Sequence, residues 1–125
     1  MIESETQLWA VDALGALAHE TRLGVFRMLV EAGPEGLVAG AIAERAAVPP
    51  STMSHHLGAL ERAGLVRSVR ESRLIRYRTD YDGMRRLLAF LMQDCCQGSP
   101  QMCADLIGVV PCHGEISNPQ PEPAE

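Results

Sequence analysis

The chain has 125 residues, 46% of them hydrophobic, enough for one compact domain whose core is modest unless a second subunit adds buried surface. No uninterrupted apolar run reaches the roughly 18 residues of a membrane span, and the acidic start Met1-Ile2-Glu3-Ser4-Glu5 is unlike a secretory leader, so a cytoplasmic protein with no membrane partner is expected. The net charge of −5 hides an asymmetry: residues 45–86 carry nine arginines against four acids, a balance of +5, while residues 1–44 and 87–125 each sum to −5. A basic module between acidic flanks points to an anionic partner for the middle third alone.

In chain order, Leu8, Val11, Leu14 and Leu17 recur every three residues beside Trp9, Ala13 and Ala16, which predicts a first helix with more than one buried side. A second helix is expected from about Thr21 to Glu31, with Leu23, Phe26, Leu29 and Val30 inward and Gly33-Pro34-Glu35-Gly36 as its stop. A short third helix covers about Val38 to Ala46. Pro49-Pro50 marks a turn into a fourth, about Ser51 to Ala63, with Met53, Leu57 and Leu60 inward and Gly64 past its end.

The period then shortens. Leu65 to Arg70 and Leu74 to Thr79 read as two strands around Glu71-Ser72-Arg73, with Ile75 and Tyr77 on one face and Leu74, Arg76 and Arg78 on the other. A last helix begins near Asp80. Its stripe Met84, Leu87, Leu88, Leu91 and Met92 is continued by Cys95, and Gly98 and Pro100 end it. The proline-rich, acidic tail from 115 to 125 is expected to be disordered.

Two helices joined by a tight turn and followed by a basic hairpin make a winged helix-turn-helix, a mainly α fold with a β-hairpin wing. The fourth helix would enter the major groove of duplex DNA, presenting Ser51, Thr52, Ser54 and His55 to base edges or phosphates. Arg70, Arg73, Arg76 and Arg78 on the hairpin would sit over neighbouring phosphates or in the minor groove.

Four stretches in succession, Ala18-His19-Glu20-Thr21-Arg22-Leu23, Ser51-Thr52-Met53-Ser54-His55-His56-Leu57, Ala63-Gly64-Leu65-Val66 and Arg70-Glu71-Ser72-Arg73 with Tyr77, resemble the signatures of ArsR/SmtB family repressors over about residues 8–96. The resemblance implies a homodimer formed by the first and last helices that binds an inverted-repeat operator and leaves it when an inducer binds. It also implies an inward position for His56. Two residues depart from the family pattern: Ser72 stands where glycine is usual in the hairpin turn, and His19 where a better capping residue is common.

The four cysteines, Cys95, Cys96, Cys103 and Cys112, crowd into one stretch, which in a reducing compartment favours metal, metalloid or redox chemistry over a disulfide framework. Thiolates select soft ions such as As(III), Sb(III), Cu(I), Zn(II) or Cd(II). Trivalent arsenic takes three thiolates, whereas zinc usually takes four ligands. On an intact helix the side chains of Cys95 and Cys96 diverge by about 100°, so both can meet one ion only if the helix end frays; Gly98, Ser99 and Pro100 make that easy and could return Cys103 as a third ligand. The Cys-Val-Cys of some arsenic-responsive relatives is absent, its place taken by residues 37–42. The trio Cys95, Cys96 and Cys103 resembles instead an arsenical subset with a C-terminal site. Cys112, with or without His113, has no assigned role.

The expectation is therefore a DNA-binding repressor of a metalloid resistance operon and not an enzyme, with As(III) or Sb(III) as inducer at Cys95, Cys96 and Cys103. Residues 1–97 would form the DNA-binding and dimerisation domain, 98–114 the sensing segment and 115–125 the tail. Thiol oxidation or persulfide formation, or Zn(II) or Cd(II), are the alternative triggers for the same repressor.

Overall fold

The structure, a computed structural model, describes residues 4–93. Its elements all lie in the first of the two units into which the chain divides, residues 1–91. The expectations for residues 94–125, including a helix running through Cys95, the cysteine site and the disordered tail, fall outside the described residues. Among the described residues no helix is long and apolar enough to cross a membrane.

Helix α1 (Glu5–Leu17) begins at Ser4, whose Oγ accepts the Gln7 amide at 3.1 Å. Only one of its sides is buried within the chain. That side is a row of alanines, Ala10, Ala13 and Ala16, small enough for close helix packing, while Leu8, Val11 and Leu14 stay 53%, 59% and 41% exposed. Helix α2 (Glu20–Ala32) is capped by His19 after all: Nδ1 accepts the Thr21 amide at 3.1 Å. Its inward stripe is Val25, Phe26 and Leu29. Leu23, expected inward, is 47% exposed, because it lies about 110° round the helix from the centre of that stripe.

Gly33, at φ 80°, stops α2, and a 3-10 turn (Gly33–Glu35) leads into strand β1 (Leu37–Val38). Strand β1 has no local signal of its own, and Val38, expected to open the third helix, belongs to it. Helix α3 is Ala39–Ala46 and α4 is Pro50–Arg62, with Pro49 as N-cap and Pro50 in the first turn. Strands β2 (Val66–Glu71) and β3 (Leu74–Thr79) form the wing, shortening the connection to Ser72-Arg73. The sheet order is β1-β3-β2, antiparallel throughout, with Leu37 opposite Tyr77 and Val66 opposite Thr79.

Helix α5 (Tyr81–Leu91) is started by Asp80, whose Oδ1 accepts the Gly83 amide at 3.0 Å. Met92 lies past its end in a turn, not on the helical stripe. No basic residue stands in its last turn to complement the helix dipole.

The core gathers Val25, Phe26 and Leu29 from α2, Ile42 from α3, Met53, Leu57 and Leu60 from α4, and Leu65, Val66 and Tyr77 from the sheet region, closed by Leu87 of α5. Two elements, α1 and α5, converge on the carboxyl end of α4. Trp9 Nε1 donates to the Ala63 carbonyl at 2.9 Å, the Arg86 guanidinium lies 4.3 Å over the Trp9 ring, and Gly83 packs on the Gly64 carbonyl. A methyl at Gly83 would overlap that oxygen, which belongs to backbone and cannot swing away. Gly83→Ala is accordingly expected to destabilise the fold by about 1–3 kcal/mol, read as a lower urea midpoint with an unchanged m-value.

Candidate nucleic-acid interface

The interface follows from which side of α4 is buried. Met53, His56, Leu57 and Leu60 form the seam against the core, so the opposite side must face outward: Ser51, Thr52, Ser54 and His55 are all exposed. Pro49 and Pro50 hold the entry to the helix, and no side chain caps it. First-turn amides of α4 are thus left without side-chain partners next to the exposed hydroxyls, and such groups suit a phosphate oxygen.

His56 is the one polar member of the seam. It is 8% exposed, and its Nδ1 accepts the Arg22 Nε–H of α2 at 3.2 Å. Arginine can only donate, so Nδ1 carries no proton and the neutral ring keeps its hydrogen on Nε2. The His19 ring lies 4.7 Å away, tilted by 50°, and the His55 ring 6.0 Å away. Burial first, then the charges of His19, Arg22 and His55, hold the His56 pKa below its ordinary 6.5.

On the wing, the register separates the arginines. Arg70 shares a face with Ile75 and Tyr77, whereas Arg67, Arg76 and Arg78 share the other with Val69 and Leu74. Ser72 takes φ 59°, in the left-handed region, where the family pattern has glycine; Arg73 beside it is exposed at the tip. Arg70, Arg73 and Arg78 are exposed and have no carboxylate partner among the described residues. Arg76 stands apart from them. Its Nε reaches both oxygens of Glu71 at 3.1 Å and its Nη1 donates to the Glu35 carbonyl at 3.3 Å, which ties the wing to the turn after α2.

Arg67, which the sequence reading passed over, lies directly opposite Arg78. Only the strand register reveals that pair of like charges. The wing is further tied to α4 by Ser68 Oγ, which donates to Glu61 at 2.8 Å. Among the described residues no three His, Cys, Asp or Glu side chains are placed to hold a metal ion. The expected ligands Cys95, Cys96 and Cys103 lie outside those residues.

A family profile described as "Helix-turn-helix domain" matches residues 17–69. No curated protein matches the sequence. Among solved structures, an ArsR-like transcriptional regulator from Rhodococcus sp. RHA1 is similar with a TM-score of 0.63 and 26% identity, over 86% of this chain and 97% of that one. HlyU from Vibrio cholerae N16961 is 30% identical, with a TM-score of 0.57, over 71% of this chain and 97% of that one. A possible transcriptional regulator for arsenical resistance is 26% identical, with a TM-score of 0.59, over 75% of this chain and 95% of that one. The seated α4, the hairpin wing and these likenesses agree: the chain belongs to the ArsR family of winged helix-turn-helix transcriptional regulators, DNA-binding proteins and not enzymes.

Proposed function

We propose that this chain is a homodimeric repressor that grips an inverted-repeat operator and releases it when As(III) or Sb(III) binds Cys95, Cys96 and Cys103. The observation that carries the dimer is an uncovered apolar surface on two neighbouring helices. Leu8, Val11 and Leu14 of α1 and Leu88 and Leu91 of α5 are each 41–59% exposed, and α1 packs beside α5. Leaving five large aliphatic side chains half in water forgoes about 1 kcal/mol apiece, and a two-fold partner presenting the same stripe would cover them.

A symmetric dimer presents two copies of α4 to the duplex, and a two-fold protein reads a two-fold site; hence the inverted repeat. Ser51, Thr52, Ser54 and His55 are the proposed groove contacts, with Arg70, Arg73 and Arg78 on phosphates. Arg76 is assigned to the wing as well, on the face that carries Arg78, but its Glu71 partner neutralises much of its charge, so its share of the phosphate contact is small.

The inducer half of the reading rests on sequence position and donor chemistry, with support from the likeness to a possible regulator of arsenical resistance. In sequence, Cys95 and Cys96 follow by a few residues the helix whose apolar stripe would form the interface. Three soft thiolates suit a trivalent metalloid. Residues 1–97 would then be the DNA-binding and dimerisation part, 98–114 the sensing segment and 115–125 an unpacked tail. Binding that draws Cys96 and Cys103 towards Cys95 would reshape the chain at the end of α5 and so the spacing of the two α4 helices.

Three measurements test these assignments. Val11→Glu with Leu88→Glu should convert the dimer to a monomer by sedimentation and abolish tight operator binding; a dimer that persists would place the interface elsewhere. Across roughly 50–200 mM salt, Arg73→Ala should reduce the slope of log affinity against log salt by about 1, and Arg76→Ala by clearly less. As(III) should weaken operator binding about 5–150-fold in fluorescence anisotropy. Cys95→Ser, Cys96→Ser and Cys103→Ser should each remove that effect while Cys112→Ser keeps it. Release by peroxide or by Zn(II) but not by As(III) would overturn the inducer assignment and leave the DNA-binding reading intact.

A further inference from the structure

The polar joint inside the otherwise apolar seam of α4 has no part in the contacts assigned above. Arg22 comes from the first turn of α2 and His56 from the second turn of α4, so their 3.2 Å hydrogen bond spans the two helices across 34 residues of sequence. It is directional where the surrounding Met53, Leu57 and Leu60 contacts are not. A helix held by aliphatic packing alone can rock about its seam at little cost. One N–H aimed at one lone pair resists that motion.

The surroundings of His56 are uniformly unfavourable to a second proton. From α2 it faces the Arg22 guanidinium and, at the cap, His19; from α4 it faces His55. Glu20, the first residue of α2, is exposed, and no carboxylate of α1, α2, α3 or β2, the elements packed on α4, is among the groups that shift the ring. His19 is itself committed at the positive end of the α2 dipole, with Nδ1 on the Thr21 amide. A proton on Nδ1 of His56 would occupy the lone pair that receives Arg22 and set two cations side by side with no described carboxylate to separate them.

We propose that Arg22 and His56 form a positioning joint for the DNA-reading helix: neutral His56 holds the angle of α4 on α2, and protonation releases it, so sequence-specific operator binding weakens in acid. The sign follows from the direction of the shift. With the folded pKa held below 6.5, the joint is intact above 6.5 and is lost as pH falls through the lower folded value. Loss of the joint weakens the sequence-specific complex, which needs a fixed helix angle, and not non-specific binding through phosphates. The ratio of specific to non-specific affinity should therefore fall with acidity.

The test uses the full-length protein and two duplexes, one selected from a random pool by wild-type protein at about pH 7.5 and one scrambled. Between about pH 7.5 and about pH 5.5, the specific-to-non-specific affinity ratio of the wild type should fall, by less than about tenfold because the folded pKa lies below 6.5. His56→Asn keeps an acceptor at the position of Nδ1 but cannot titrate there, and its ratio, normalised to its own value at the higher pH, should stay flat. His56→Leu and Arg22→Gln should lower the ratio at both pH values. Thermal melting in parallel separates positioning from stability: the Asn variant should restore the ratio that the Leu variant loses, even where the two melt alike. A wild-type ratio that holds or rises in acid, or an Asn variant with the same acid limb as wild type, would overturn the proposal. The measurement needs no inducer, so its outcome is independent of the As(III) assignment.

Discussion

A helix pinned along one stripe has no freedom to choose what its opposite stripe presents, and in this protein that helix is α4. Met53, Leu57 and Leu60 are each no more than 1% exposed, and burying them is worth about 1.5–3 kcal/mol per side chain. With that stripe turned inward, Ser51, Thr52, Ser54 and His55 have nowhere to go but outward. The reading surface is thus the geometric complement of a hydrophobic seam, which alone decides which residues face outward. What packing leaves undefined is the fine angle, which is where a single directional bond from Arg22 matters.

The rest of the fold steadies α4 from its two ends. At the amino end, two prolines restrict the entry, and α3 braces it through Ile42 and Ala43. At the carboxyl end, α1 and α5 meet the two carbonyls just past the helix, those of Ala63 and Gly64, through the Trp9 indole and through the bare backbone of Gly83. Both residues belong to the helices that carry the exposed aliphatic stripes. Movement at the proposed dimer interface therefore has a short mechanical route to the end of the reading helix, without passing through the core.

The wing divides its arginines between two duties. Pairing with Glu71 and the Glu35 carbonyl makes Arg76 a tie between β3 and the turn after α2, and an arginine so engaged has little left for a phosphate. Arg73 at the tip and Arg70 and Arg78 on opposite faces carry no such engagement among the described residues. Charge density read along the sequence treats all four alike; the register does not.

The amino-acid order by itself determined the architecture: helix periods, the shift to an alternating pattern after Gly64, the prolines before α4 and the glycines after α2 and α4 are local signals, each acting within a turn or two of chain. It also determined the outward row on α4, because amphipathic spacing is local, and the clustering of four cysteines after the last helix. Tertiary structure decided what depends on partners far away in sequence. β1 exists because two residues find Tyr77 and Arg76; Leu23 is exposed because Val25 and Phe26 claim the α2 seam; Trp9 is tied to α4 by a carbonyl 54 residues on. The seam of α4, visible from the start as a stripe of Met53, Leu57 and Leu60, acquired its polar joint only when α2 was laid against it, since the family resemblance implies that His56 turns inward but not that an arginine is waiting there.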